Sequence, residues 1–361
     1  MFSYLLNRMT YGILVLFGVV VVIFFLFNVL PGDPARMMLG QRADMASVEA
    51  INKDLGRDKP LYLQFLNYLN DLSPISFHST EDADSYWYLD PAKFGKTLKL
   101  TPLGRDHALV LKAPYLRRSY QSKRNVSEIL VEGFINTSIL AVVAMAFAII
   151  IGIAIGIACA LYQNSFFDRF SIVFSVLGMS LPSFFVAILN AWIFAFVLVK
   201  YTGLNMTGSL FSVDDFGSGE YLDLKNLILP ALTLGIRPLA IIVELTRNSL
   251  LEEMAQDYIR TARAKGLGKF SVIFKHAMKN ALNPVVTAIS GWLASLLAGA
   301  VFVEFIFDWK GIGVVIVNAL DKYDFPVVMG AVLFISIILI IINFFVDIIY
   351  GMLDPRVRIQ G

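Results

Sequence analysis

Six stretches of this 361-residue chain are long and apolar, and polar segments of very different lengths separate them. They run from Met9 to Leu30, Phe134 to Tyr162, Phe170 to Val199, from Asn226 onward, Ala281 to Val303 and Phe325 to Val346. A helical bilayer crossing takes roughly 20 apolar residues, so each stretch predicts a transmembrane helix. The first is too long for a signal-peptide core and no A-x-A-like site follows it, which predicts an uncleaved span. The third is interrupted at Ser180-Leu181-Pro182-Ser183-Phe184, where a freed backbone carbonyl needs a partner or a wet cavity. The fourth carries Arg237 and Glu244. A charge at mid-membrane costs about 2.5–3.5 kcal/mol, so both are expected to face protein or water, and Glu244, near the end, can snorkel. Gly152-x-x-x-Gly156 in the second span has the spacing of close helix packing, and Asn136, Asn190 and Asn343 are expected to bond between helices. The predicted fold class is an all-α membrane protein with six transmembrane helices.

Between the fourth and fifth spans, residues 252–284 show a different period. Ala255, Tyr258, Ile259 and Ala262 form one apolar stripe, with Glu253, Gln256, Asp257, Arg260 and Arg263 on the other side. Gly266-Leu267-Gly268 breaks the pattern, as glycine does at helix ends. Phe270, Ile273, Phe274, Ala277, Met278 and Ala281 then repeat at helical spacing, with Lys269, Lys275 and Lys279 off the stripe. Such a helix–glycine–helix unit fits a docking surface for a soluble partner, and equally a loop lying on anionic lipid. The pattern alone leaves both open.

Composition supports the membrane reading: 57% of residues are hydrophobic and 16% charged, against about 45–50% and 25% in soluble domains. The net charge of +2 gives no indication of nucleic-acid binding. Charge placement sets an expected orientation. The stretch from Arg247 to Lys279 holds seven Lys or Arg against Glu252, Glu253 and Asp257. With Arg8, Arg356 and Arg358 it is expected on the cytoplasmic side. The acidic 201–225 loop, with Asp214, Asp215, Glu220 and Asp223, and the long 31–130 segment are then outside. Both termini are expected to be cytoplasmic. Ser85-Tyr86-Trp87-Tyr88 in the long segment is expected at the membrane interface or in a local mini-core.

Catalytic patterns are missing from the sequence. There is no Gly-x-x-x-x-Gly-Lys-Ser/Thr phosphate loop and no H-E-x-x-H, and His78, His107 and His276 are far apart in sequence. The single cysteine, Cys159, lies in an apolar run and is expected to pack. The expectation is a non-enzymatic chain that binds no cofactor or metal.

Several motifs together resemble one family. Leu30-Pro31-Gly32-Asp33-Pro34, Leu55-Gly56-Arg57-Asp58-Lys59-Pro60-Leu61-Tyr62, the run Asp257 to Leu267 (DYIRTARAKGL), His276-Ala277-Met278 and Asn280-Ala281 are similar to those of ABC-importer permeases of the dipeptide/oligopeptide/nickel branch. So is Gly299 to Gly313, the GA-x-x-x-E-x-x-F-x-x-x-G-x-G pattern with Glu304 and the Gly311/Gly313 pair, and so is Leu353-Asp354-Pro355-Arg356. Lys279 and Lys310 stand where the family often has proline. The likeness fades over about 74–112, which reads as an insertion within an extracytoplasmic 31–130 segment, between a first helix at 1–30 and a transmembrane domain at 131–361.

The resemblance implies a permease subunit importing peptides by alternating access. The nickel-chelate members of the same branch and, from another class, an ion-coupled secondary transporter are the alternatives. It implies a related second permease, two cytoplasmic ATPases that use ATP and Mg, and an extracytoplasmic substrate-binding protein as partners. Asp257, Tyr258, Arg260, Thr261, Ala262, Arg263, Ala264, Lys265, Gly266 and His276 would form the coupling loop to the ATPases. Pro182, Arg237 and Glu304 are candidates for the translocation path or its gate.

Overall fold

A computed structural model describes residues 2–29, 49, 52, 59–82, 85–103, 106–213, 219–297 and 300–353. Leu30 to Pro34, Leu55 to Asp58, Asp214, Asp215, Gly299 and the stretch from Asp354 through Arg356 to Arg358 lie outside the described residues. Among the described residues the main helices are α1 (Phe2–Val29), α2 (Leu61–Leu72), α3 (Val126–Leu161), α4 (Phe166–Ser180), α5 (Ser183–Asn190, continued by a π-helical stretch at Ala191–Val197) and α6 (Lys225–Met254). They continue with α7 (Asp257–Ala264), the composite α8 described below, α9 (Asn283–Leu297), α10 (Val301–Ile306), α11 (Ile312–Asp321) and α12 (Phe325–Leu353). The chain forms two compact units, one of Met1–Gly12, Gly133–Val314 and Ile335–Gly361, the other of Ile13–Glu132 and Val315–Phe334.

In the first unit α6 is the central element. Its glycine-lined approach to α3 follows the expected small-residue spacing. A Cβ on Gly152 would sit 2.9 Å from Ile242 and 3.2 Å from the Leu239 carbonyl; one on Gly156 would meet Thr246 at 2.6 Å. Only glycine admits that approach. Leu140, Ala144 and Ala148 of α3, Ala231 and Ile242 of α6 and Val285 of α9 share one buried cluster with Trp309. Asn136 donates to the Lys310 carbonyl at 2.9 Å and Asn190 to Thr233 at 2.9 Å, so two of the three span asparagines bond between elements.

Four helices are long and apolar enough to cross a bilayer: Asn7–Phe27, Val126–Leu161, Lys225–Met254 and Phe325–Val346. The expected third span is two pieces, Phe166–Ser180 and Ser183–Val197, bent by 112° at Leu181-Pro182. Proline ends α4 because it lacks the amide the ladder needs. The expected fifth span contains the 15-residue α9, only about 22 Å long at the helical rise. The described helices therefore give four spans, or five with the bent pair.

The second unit corrects the all-α expectation. Residues of the expected insertion form a three-stranded antiparallel sheet of β1 (Ile75–Ser79), β2 (Leu98–Leu103) and β3 (His107–Leu111), in the order β1-β3-β2. Pro102 sits in β2, an edge strand, where a missing amide is tolerated. Trp87 packs edge-on against Phe77 at 5.6 Å, and its carbonyl accepts from the Ser79 amide at 2.9 Å, which makes the aromatic cluster a mini-core. Further along this unit, the buried Asp324 carboxylate accepts from the Ser119 hydroxyl at 2.5 Å and the Tyr120 amide at 3.0 Å. A second departure is the hairpin β4 (Phe211–Val213) and β5 (Glu220–Leu222) in the first unit.

Candidate functional site

The 252–284 segment folds as two short helices on an apolar bed. α7 buries Ile259 and Ala262, two residues of the predicted stripe, while Ala255 is exposed and Tyr258 is 39% exposed. Asp257, Arg260, Thr261, Arg263, Ala264 and Lys265 all face outward. The helix ends in a Schellman turn. The Gly266 amide donates to the Arg263 carbonyl at 3.0 Å and the Leu267 amide to the Ala262 carbonyl at 3.3 Å. Gly266 has φ of +78°, the left-handed region that glycine enters without strain, and a Cβ there would meet nothing within 4 Å.

α8 begins at Lys269–Ser271, widens into a π-helical stretch at Val272–Ala277 and ends in Met278–Ala281. The wider turn rotates the predicted stripe. Val272, Ile273, Ala277, Met278 and Ala281 are buried, whereas Phe270 and Phe274 point outward, 74% and 44% exposed, with ring centroids 4.4 Å apart. His276 is half-buried. Ile259, Ala262, Val272, Ile273 and Ala277 join Leu250 of α6 in one cluster, with Ile153 and Ile157 of α3 packed against it. Polar contacts tie α7 to both neighbours: Tyr258 donates to Glu253 at the end of α6 and accepts from Asn280 of α8 at 3.2 Å. Burial, and then the Glu253 carboxylate, push the Tyr258 phenol above its ordinary pKa. Arg260 and Asp257 are 3.4 Å apart, but both side chains are largely in solvent, where such a pair is worth little. A rigid apolar underside with an outward face of unpaid charge and two phenyl rings suits a protein contact.

Of the three candidates for the path, Arg237 reaches the backbone beside Pro182. Its Nη2 donates to the Leu181 carbonyl at 3.0 Å. Both Arg237 and Leu181 line a cavity of about 170 Å³ with Thr233, Trp292 and Ser295; Pro182 itself is not among the lining residues. Glu304 lies elsewhere, fully buried. Its carboxylate accepts from the Thr137 hydroxyl at 2.6 Å and the Gly313 amide at 2.6 Å. A Cβ on Gly311 would overlap that carboxylate at 2.5 Å, which explains glycine at that position.

Periodicity missed one brace. Arg247 of α6 grips Asp168 at the start of α4 through two bonds, 2.6 and 2.8 Å, with Asp168 only 1% exposed. The only sequence signal was a charged pair, Asp168-Arg169, beside a span. Among the described residues no group of His, Cys, Asp and Glu is arranged to hold a metal ion.

Comparison with known proteins gives this geometry its context. The family described as binding-protein-dependent transport system inner membrane component matches residues 148–359, and that family's N-terminal component matches residues 1–81. The chain is 34% identical over 371 residues to the dipeptide transport system permease protein DppB of Alkalihalophilus pseudofirmus, covering 99% of this chain and 100% of that protein. It is 33% identical to the di/tripeptide transport system permease protein DppB of Pseudomonas aeruginosa, with both chains fully covered. The glutathione transport system permease protein GsiC of Pectobacterium atrosepticum is 34% identical, with 99% of each covered. Among solved structures, inward-facing MetNI methionine ABC transporter aligns with a TM-score of 0.49 and 18% identity, covering 63% of this chain and 97% of that one. The chain belongs to the binding-protein-dependent transport system inner membrane component family, the multi-pass permease subunits of bacterial ABC transporters.

Proposed function

We propose that this chain is the transmembrane permease subunit of an ATP-driven importer of short peptides, coupled to cytoplasmic ATPases through residues 252–284. The observation that carries the coupling role is the anchoring of α7. Ile259 and Ala262 are locked into the cluster shared with α6 and α3, while Arg260, Arg263 and Lys265 face outward. A force applied to α7 passes into two long helices rather than into a loose loop. Peptides are favoured as cargo because the relatives named above carry dipeptide, di/tripeptide and glutathione transport in their names.

In this reading the chain has six spans, with α9 and the bent α4–α5 pair completing the set, and both termini are cytoplasmic. A related second permease completes the path, two ATPases use ATP and Mg on the cytoplasmic side, and an extracytoplasmic binding protein delivers cargo. Arg237 and the Leu181-Pro182 break belong to the moving path. The chain performs no catalysis itself.

The test is affinity purification of the tagged chain in mild detergent, with its partners identified by mass spectrometry. Recovery of a second permease and ATPase subunits is expected, and Arg260→Glu with Arg263→Glu should lose the ATPases while keeping the second permease. A chain that always purifies alone, or a charge-reversed chain that keeps both its ATPases and its transport, would turn the loop back into a lipid-facing segment.

A further inference from the structure

Within the first unit, Arg237 stands on α6 between Ile236, Pro238 and Leu239 and lines the cavity of about 170 Å³. One of its nitrogens, Nη2, serves the Leu181 carbonyl at 3.0 Å, but Nε is buried and has no hydrogen-bond partner among the described residues. A carbonyl is neutral, so the guanidinium keeps its full charge. A buried donor without a partner costs free energy, and so does a charge within a span. An arginine kept on these terms points to a ligand that completes it.

The walls carry no compensating carboxylate. Besides Arg237, the polar side chains lining the cavity are Ser183, Thr233, Trp292 and Ser295, and none of the lining residues is Asp or Glu. Thr233 accepts from Asn190 at 2.9 Å, which leaves its own O–H to donate. The indole N–H of Trp292 can only donate. A cation, hydroxyls and an indole make a wall of donors, and such a wall suits an anion with several acceptor oxygens. A carboxylate matches best, because its two oxygens meet two parallel N–H groups of a guanidinium. Space narrows the choice further. The cavity is smaller than the roughly 300 Å³ at which small-molecule sites begin, so it suits one end of a peptide rather than a whole one. Val186, Leu234 and Leu296 supply apolar wall for the side chain beside that end.

We propose that this cavity receives the C-terminal carboxylate of a peptide in transit, paired with Arg237, while the amino end of the peptide stays outside it. The proposal rests on the peptide reading above for its ligand class, and adds to it a contact by which the path itself selects a free C-terminus.

The experiment titrates the dipeptide Ala-Ala, and separately its C-terminal amide, into the purified full chain with the subunits that accompany it, in nanodiscs without binding protein, followed by calorimetry. Ala-Ala is expected to bind saturably and at least about tenfold more tightly than the amide, the scale of one charge-assisted hydrogen bond. Arg237→Gln should remove that preference and Arg237→Lys should keep part of it, whereas a purely structural loss would weaken both ligands alike. Because Arg237→Gln also removes the bond to Leu181, a second pair of variants leaves the arginine in place. Ser295 is exposed on α9, so Ser295→Glu sets a carboxylate in the wall without disturbing a packed position. It should abolish the preference for the acid, whereas Ser295→Gln, of the same size, should keep it. Equal affinities for acid and amide in the wild-type chain, or an unchanged preference in Arg237→Gln or Ser295→Glu, overturns the site. Uptake of Ala-Ala by the transporter with its binding protein is scored apart. Uptake without acid-selective binding overturns this inference alone, acid-selective binding without uptake overturns the transport reading alone, and the absence of both overturns the two together.

Discussion

Arg237 on α6 donates to the carbonyl oxygen of Leu181, 56 positions earlier in the chain, at the break between α4 and α5. The last carbonyls of a helix lack partners within it, and a guanidinium near that end satisfies one of them while opposing the negative end of the helix dipole. A charge out of place in one span thus answers a proline out of place in another.

Removing that charged donor should loosen the break. Arg237→Gln is expected to cost about 1–3 kcal/mol, because the Leu181 carbonyl is left facing a cavity without its charged partner. Transport should fall with it, while Arg237→Lys keeps a charged donor and retains part of both. Thermal unfolding in detergent, paired with uptake in proteoliposomes, separates the two effects. A glutamine variant that melts and transports like the wild type would show that the bond does not hold the bend.

Glu304 supports a different prediction, since two glycines are shaped around its carboxylate. Gly313→Ala would bring a Cβ to 2.5 Å from the Val301 Cα and 2.6 Å from Glu304 Oε2. Backbone cannot yield as a flexible side-chain end can, so overpacking of about 1–3 kcal/mol is expected. Glu304→Ala should be at least as damaging, for it strands the buried Thr137 hydroxyl and Gly313 amide. Glu304→Gln keeps an acceptor and should be the mildest. Melting temperatures of the three variants in one detergent give the order, and an alanine at 313 with wild-type stability would refute the close approach.

Much of this was legible along the chain, and the reason is period. Runs of apolar residues marked the long helices, and Gly152 and Gly156 marked where α3 meets α6, because both signals are local. The sheet at Ile75–Leu111 was not legible, since its strands are five or six residues long and mix histidine, lysine and proline with apolar positions. Nor was the outward turn of Phe270 and Phe274. A π-helical stretch changes the number of residues per turn, so a stripe drawn at the ordinary helical period runs off the buried face. The Arg237–Leu181 and Arg247–Asp168 contacts join residues dozens of positions apart, and no spacing rule reaches them.

The second unit should respond to alkaline pH. Burial lowers the Lys112 ammonium to a pKa of about 8 from 10.5, with Asp71 opposing the shift. Between those two values the unfolded chain still binds a proton that the native lysine has released. Native stability should therefore rise as pH climbs from about 8 to about 10.5, and the cost of the buried charge is present in full below that window. Lys112→Met removes the group. Its stability advantage over the wild type should shrink as pH increases through the window, as read from melting temperatures of the two full-length chains. A difference that stays flat would mean that Lys112 is well solvated.

Gly266 gives the sharpest test of the coupling role, because its surroundings are empty. An added Cβ would touch nothing, so the cost of substitution is that of holding φ at +78°, about 1–2 kcal/mol for most residues and less for asparagine. Gly266→Asp is therefore expected to insert and fold, since a single turn at the surface carries the strain. Relieving that strain would unwind the Schellman turn and change the angle between α7 and α8. The outward charges of α7 would then meet the ATPase in the wrong register, and ATP hydrolysis should continue without cargo movement. Gly266→Asn, which tolerates the left-handed conformation, should keep most of the transport. Parallel assays of ATP hydrolysis and uptake in proteoliposomes decide the matter. If aspartate and asparagine variants both transport at the wild-type rate, α7 does not act as a rigid lever; if both lose hydrolysis as well, the loop is needed for assembly rather than for coupling.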